Sequence, residues 1–322
     1  MSPPLLLLLL ANVLLVLVAS SCIVASVATS MTSPLLSPQQ KSNIRNDDVQ
    51  GQRRRTQQNS TDDNAERTSS YRKTWLFGTG DAGEWGNDVN HPNNPIQIDI
   101  AALLVGEYVT DVPSAGLLHS AVVTNLGRIF TAGSSSAGES RGLGRSTNGT
   151  AELEFMPITE VYRLEETAPT TESMPTFVKV VASQYYTVAR DNLGNVWSTG
   201  NNAYGQLCLN DTVTRERFHQ VRIPGDEKVI DIALGESHTL MIREDGTVFG
   251  CGWNGLGNMG IGLNGENILS PVEIIIDEPD KTAATTNSTA DTINHEFITD
   301  AVAGRGTSYF KSASGHIFSA GE

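Results

Sequence analysis

Ala233-Leu234-Gly235-Glu236-Ser237-His238-Thr239-Leu240, followed closely by Asp245-Gly246-Thr247-Val248-Phe249-Gly250-Cys251-Gly252, decides how this chain is read. An apolar run stops at a small residue. A second β-rich run begins at His238, and a turn glycine leads into a third run carrying a β-branched residue and an aromatic. The stretch is one of a series. Gly127-Arg128-Ile129-Phe130-Thr131-Ala132-Gly133, Gly194-Asn195-Val196-Trp197-Ser198-Thr199-Gly200 and Gly315-His316-Ile317-Phe318-Ser319-Ala320-Gly321 obey the same rule, Gly-x-(Val/Ile)-(Trp/Phe)-x-x-Gly. A degenerate earlier copy is Thr74-Trp75-Leu76-Phe77-Gly78.

The match extends outward from this kernel. Five residues past the closing glycine stands another, pairing Gly78 with Gly83, Gly133 with Gly138, Gly200 with Gly205 and Gly252 with Gly257. Eight residues before the opening glycine come His119, Tyr186, His238 and Thr307, and three before those Gly116, Ser183, Gly235 and Gly304. Each copy is a small antiparallel sheet that cannot bury both its faces alone. Stacking copies radially buries them, so the expected fold is an all-β β-propeller. Helical periodicity is absent from the repeat region. The closing glycines lie 55, 67, 52 and 69 residues apart, and the irregularity falls at 139–176 and 262–297, which read as loop insertions between blades.

At this point the residues resemble a known family. The stretch from Ala233 to Leu240, Asp245-Gly246-Thr247-Val248-Phe249, Gly252-Trp253-Asn254-Gly255-Leu256-Gly257 and Gly200-Asn201-Asn202-Ala203-Tyr204-Gly205-Gln206-Leu207 are similar to the regulator-of-chromosome-condensation repeat. The resemblance covers most of residues 71–322 and implies a propeller of about seven four-stranded blades. Departures are visible: Cys208 replaces the usual closing glycine, Tyr186 and Thr307 replace the histidine, and Arg72 stands where the first copy should have glycine. About four to five copies are present, so the expectation is a partial ring and a chain truncated at its C-terminus, with raw sheet edges that are an aggregation hazard.

The flanks speak of the compartment. Leu5 to Val18 is apolar except for Asn12, and Ser26-Val27-Ala28 has the small-x-small form of a cleavage site, so residues 1–28 read as a signal peptide. The runner-up is an uncleaved anchor over residues 5–27, which is long enough to span a bilayer. Residues 29–70 are rich in Ser, Gln, Asn, Asp and Arg and read as a disordered linker, with Arg53-Arg54-Arg55 a solvated charge run. Four sequons, at Asn59, Asn148, Asn210 and Asn287, are glycosylation candidates. With Cys22 inside the signal, Cys208 and Cys251 remain, and a disulfide and two semi-buried thiols both stay open. Net charge is −14 and the repeat region is acidic throughout, which excludes a phosphate-backbone partner and favours basic proteins or cations.

Pattern matches to catalytic motifs fail on context. Gly78-Thr79-Gly80-Asp81-Ala82-Gly83 and Gly250-Cys251-Gly252-Trp253-Asn254-Gly255 have dinucleotide-loop spacing, but no helix follows to face a pyrophosphate. Gly138-Glu139-Ser140-Arg141-Gly142 fits a nucleophile elbow without the strand-to-helix turn that makes one work. His119 and His238 occupy equivalent repeat positions, so a structural role between strands, bonded to neighbouring backbone, explains both; His91, His219, His295 and His316 lack ligand spacing. Trp75, Trp197, Phe130, Phe249 and Phe318 form the blade core. No cofactor, metal or catalytic residue is expected. The glycines at 127, 133, 138, 194, 200, 205, 246, 252, 257, 315 and 321, with His119 and His238, are structural repeat positions.

The functional expectation is a non-catalytic scaffold, secreted or lumenal, that binds a protein partner through propeller rim loops and takes no nucleic acid; the membrane enters only through an uncleaved anchor. By resemblance, secreted relatives with this repeat include bacterial β-lactamase inhibitors. The founding member's activity, guanine-nucleotide exchange on a small GTPase, is the alternative and implies a cytosolic or nuclear protein.

Overall fold

The computed structural model describes residues 75–76, 96–97, 100–134, 142–147, 152–262, 265–277 and 295–322. Every regular element among them is a β-strand. A short pair comes first, β1 (Trp75–Leu76) against β2 (Ile96–Gln97). Four larger sheets follow. Blade I is β3 (Ser114–Ala115), β4 (His119–Val123), β5 (Ile129–Gly133) and β6 (Glu152–Pro157). Then comes β7 (Val161–Tyr162). Blade II is β8 (Phe177–Ala182), β9 (Tyr186–Asp191), β10 (Val196–Gly200) and β11 (Arg215–Gln220), with β7 added parallel to the outer edge of β11. Blade III is β12 (Val229–Leu234), β13 (His238–Arg243), β14 (Val248–Trp253) and β15 (Asn267–Ile274), and blade IV is β16 (Ile298–Ala303), β17 (Thr307–Ser312) and β18 (Ile317–Gly321).

The strands of each blade are antiparallel meanders, as the local turns dictate. Their apolar residues serve both faces, which is why β4, β5, β10 and β13 are buried at every position. The core therefore lies between blades. Ala121, Val123 and Ile129 of blade I pack on Phe177, Ala189 and Trp197 of blade II. Val188, Val196 and Leu207 pack on Ile232, Met241 and Phe249 of blade III. Leu240, Ile242 and Val248 pack on Ile298 and Phe310 of blade IV. A sheet with only one neighbour would leave half of this surface in water, at a cost of about 25 cal/mol per Å² of apolar area.

Two glycines of the repeat have separate reasons. Gly246 ends the β13–β14 turn at φ +82, donates to Arg243 O, and accepts from Ile298 N of the next blade. A Cβ there would press on Phe297. Gly127 and Gly194 repeat the arrangement, accepting from Phe177 N and Val229 N. Gly252 has φ +105 at the point where the β14–β15 register shifts, and a Cβ would stand 2.4 Å from Ser237 O. Such a bulge closes only without a side chain.

The segments read as inter-blade insertions contain β6, β7 and β15, so the insertions are shorter than the sequence reading made them. These are outer-edge strands. Their sequences, Glu-Leu-Glu-Phe-Met-Pro and Asn-Ile-Leu-Ser-Pro-Val-Glu-Ile, alternate weakly and carry proline, the composition of a half-solvated edge rather than a core strand. Residues 1–28 and 29–70, together with Asn59, Gly138, Asn148 and Asn287, lie outside the described residues. Among the described residues no helix is long and apolar enough to cross a membrane.

Candidate functional site

The repeat positions come together as contacts from one blade to the next. In the meander, the turn between the first two strands and the loop after the third lie at one end of every blade. The turn between the second and third strands, with the link to the next blade, lies at the other end. At the first end, His119 begins β4, is fully buried, and places Nε2 2.8 Å from Thr187 Oγ1 of blade II. His238 does the same from blade III, 2.9 Å from Ser308 Oγ of blade IV. Tyr186 takes the histidine's place in blade II, and its hydroxyl donates to His238 O at 2.6 Å and Gly235 O at 3.1 Å. The side-chain partner of both histidines is thus a hydroxyl across the blade boundary, not the neighbouring backbone expected from the sequence. The signal was present and unread: His119, Tyr186, His238 and Thr307 are each followed by Ser or Thr.

Burial lowers the pKa of His119 and of His238 to about 4. Neither ring carries charge near neutral pH, and neither Nδ1 has a partner. A neutral imidazole sealed at 0% exposure reaches no substrate. Gly116 and Gly235 lie against these rings, since a Cβ at either would touch His119 or His238 within 2.6 Å.

The loops of this same end are fixed internally. In blade II, Asn202 Oδ1 accepts from Leu207 N at 2.9 Å, and in blade III Asn254 Oδ1 accepts from Met259 N at 3.0 Å. Leu207 and Met259 are buried, as is Leu143 in blade I. The residues that follow them are Gly144, Cys208 and Gly260, with φ of +70, +60 and +69. Cys208 therefore holds a left-handed position that glycine holds in its sister blades. It is bonded to Cys251 of β14, with a Cα–Cα distance of 5.5 Å, and joins blade II covalently to blade III across a buried interface. This resolves the cysteine alternatives in favour of a disulfide. Gly142 lies against His119, and Gly144 is the blade I counterpart of Cys208 and Gly260.

The two ends differ in character. The first exposes Leu117, Tyr204, Val213 and Leu256, with Trp253 half-buried against Gly255, and Arg305 paired to Glu236 at 3.0 Å. The second exposes Leu126, Leu193 and Phe297 as well, and adds Asp226, Glu227, Glu244 and Asp245, with Lys228 beside them, on the two loops that meet where Glu244 N donates to Lys228 O. Asp245 is held below the usual carboxylate range: burial opposes this, and hydrogen bonds from Thr247 outweigh it.

One cluster has the residue types of a catalytic relay. Glu296 Oε1 lies 2.7 Å from His316 Nδ1, and Ser314 Oγ lies 3.1 Å from the same nitrogen. A relay needs acid and nucleophile on opposite ring nitrogens, so this arrangement ties down the β17–β18 turn and does not activate Ser314. Gly250–Gly255 runs from strand into turn with no helix after it. Among the described residues no group of three or more His, Cys, Asp or Glu is placed to hold a metal ion. Phe130, Trp197 and Phe249 are buried core, as expected, whereas Phe318 of blade IV is only half-buried.

Comparison with known proteins agrees with this architecture. A model described as the regulator of chromosome condensation (RCC1) repeat matches residues 177–206 and 229–258, and a second of the same description matches 194–242. The human X-linked retinitis pigmentosa GTPase regulator is 29% identical over 177 residues, covering 53% of this chain and 16% of that protein. The Danio rerio Protein RCC2 homolog is 40% identical over 81 residues, 25% of this chain and 16% of that one. The chain thus spans about a sixth of the length of these relatives. Among solved structures, human WBSCR16 aligns with a TM-score of 0.61 at 18% identity, over 77% of this chain and 56% of that one. Prp20p from Saccharomyces cerevisiae aligns at 0.59 and 20%, over 77% and 53%. The four sheets are blades of a β-propeller, and the matched repeats fall in blades II and III.

Proposed function

We propose that this chain, whose residues 177–258 carry regulator-of-chromosome-condensation repeats, is a non-catalytic protein-interaction scaffold of the secretory pathway. The observation that carries the compartment is the Cys208–Cys251 bond, buried between two blades. Structural disulfides persist in oxidising compartments and are rare where thiols are kept reduced. The apolar run at residues 5–18 and the small-x-small stretch ending at Ala28 point the same way. The scaffold reading rests on the site. Its histidines are sealed and neutral, its Ser–His–Glu cluster has the wrong geometry for a relay, and its rims are loops on a rigid frame. The acidic rim at Asp226, Glu227, Glu244 and Asp245 suits a basic protein surface.

The test is expression of the full chain with a C-terminal tag in a eukaryotic secretory host. Medium and cells are then assayed for N-terminal processing and free thiols. The expected product lacks residues 1–28 and has no thiol available to alkylation until it is reduced. A cytosolic, unprocessed product with three reactive thiols, at Cys22, Cys208 and Cys251, overturns the reading.

A second reading has its own support. Relatives bear the names GTPase regulator and RCC1-like G exchanging factor-like protein, and Prp20p is described with its binding to Gsp1p and histones. In that reading the chain accelerates release of guanine nucleotide from a small GTPase. Release of a fluorescent GDP analogue from purified small GTPases distinguishes the two, and the scaffold reading expects no acceleration.

A further inference from the structure

We infer that Asn210 is a site of N-linked glycosylation, standing on the rim next to the inter-blade disulfide. The inference rests on the secretory reading above and adds to it a specific acceptor. Asn210-Asp211-Thr212 lies in the loop that follows β10, two residues beyond Cys208. A sequon is common in an Asn- and Thr-rich chain, and what separates an acceptor from a chance match is whether the amide is free in the fold.

In this loop the neighbouring asparagine is not free. Asn202 is fully buried and spends its side chain on Leu207 N, Asp211 O and Asp211 Oδ1. Asn210 is the opposite case. It is exposed, at φ +61, and only its backbone is engaged, donating to Leu269 O of blade III at 2.8 Å. Its carboxamide and the Thr212 hydroxyl have no hydrogen-bond partner among the described residues, and Thr212 is exposed as well. The middle residue does the internal work. Asp211 accepts from Val213 N at 2.8 Å and from Arg215 at 2.6 Å, so the loop keeps its shape without either of the two sequon residues that a transferase reads. The disulfide at Cys208 anchors one end of the loop and the Leu269 contact anchors Asn210 itself, which presents the side chain outward on a rigid base.

The transfer is chemically balanced with a polyprenyl-pyrophosphate oligosaccharide as donor. The Asn210 amide nitrogen bonds the anomeric carbon, the bond from that carbon to the pyrophosphate oxygen breaks, one amide proton is lost to a base, and the lipid pyrophosphate leaves. The sugar then extends from the rim that carries Tyr204 and Val213.

The test uses the full chain from a eukaryotic secretory host. Enzymatic deglycosylation in ¹⁸O water marks each former acceptor as an ¹⁸O-labelled aspartate, which peptide mass spectrometry locates. The expected result is the label at position 210 in the wild type and in Thr212→Ser, and its loss in Thr212→Ala, which leaves the left-handed residue untouched. Unlabelled Asn210 in a chain whose Cys208–Cys251 bond has formed overturns this inference and leaves the secretory reading standing. Unlabelled Asn210 together with free thiols overturns both.

Discussion

His119 Nε2 and Thr187 Oγ1 are 2.8 Å apart although 68 residues separate them in the chain, and their contact crosses the boundary between blades I and II. His238 and Ser308 repeat the contact between blades III and IV. These pairs make the boundary between blades sensitive to acid.

Each histidine has a pKa near 4 when folded against 6.5 as its ordinary value, because burial disfavours the cation. The unfolded chain takes up protons between those values and the folded chain does not. Stability is therefore full above about pH 6.5 and falls as pH drops toward 4, by about 3 kcal/mol for each histidine. Burial lowers His219 to about 4 as well, so urea denaturation at pH 7.5 and pH 5.0 is expected to show about 2 kcal/mol of loss for each of the three histidines, and His119→Gln is expected to remove about a third of the pH dependence. Identical pH dependence in the variant would rule out His119 as a source.

The disulfide closes a separation of 43 residues. Chain-entropy arguments give it about 4 kcal/mol. Reduction, or Cys251→Ala, is expected to lower stability by that order in chemical denaturation. Cys208 has φ +60, so Cys208→Gly is expected to be about 1 kcal/mol more stable than Cys208→Ala, both measured under reducing conditions.

Two glycines separate conformational strain from collision. Gly252→Ala brings a Cβ to 2.4 Å from Ser237 O at φ +105 and is expected to cost about 3 kcal/mol or more. Gly260→Ala, at φ +69, meets only the Ala320 Cβ at 3.3 Å and is expected to cost about 1 kcal/mol. Equal unfolding midpoints for the two variants would contradict the bulge assigned to Gly252.

Asp191 organises the β9–β10 turn. It accepts from Leu193 N, Asn195 N, Asn195 Nδ2 and Trp197 Nε1, at 2.9 to 3.1 Å. Asp191→Ala leaves four donors without their acceptor, one of them on a fully buried indole, and is expected to cost about 3 kcal/mol. Near-ultraviolet circular dichroism should report the loosened Trp197.

By itself the sequence determined the repeat, the all-β class and the inner strands of the blades. Glycines at fixed offsets and a β-branched–aromatic pair are local requirements of a turn and a doubly buried strand, and local requirements leave a pattern. The outer strands β6 and β15 left none, because a strand that buries one face and offers its edge to water accepts many sequences. Tertiary structure decided what depends on which residues meet across blades. His119 finds Thr187, and Cys208 accepts a left-handed backbone in reach of Cys251. Asn202 turns inward while Asn210, eight residues on, faces solvent. The His119–Thr187 and Cys208–Cys251 contacts, and the bond from Asn210 N to Leu269 O, join segments far apart in the chain and are fixed only when the blades stack, so spacing along one copy does not encode them.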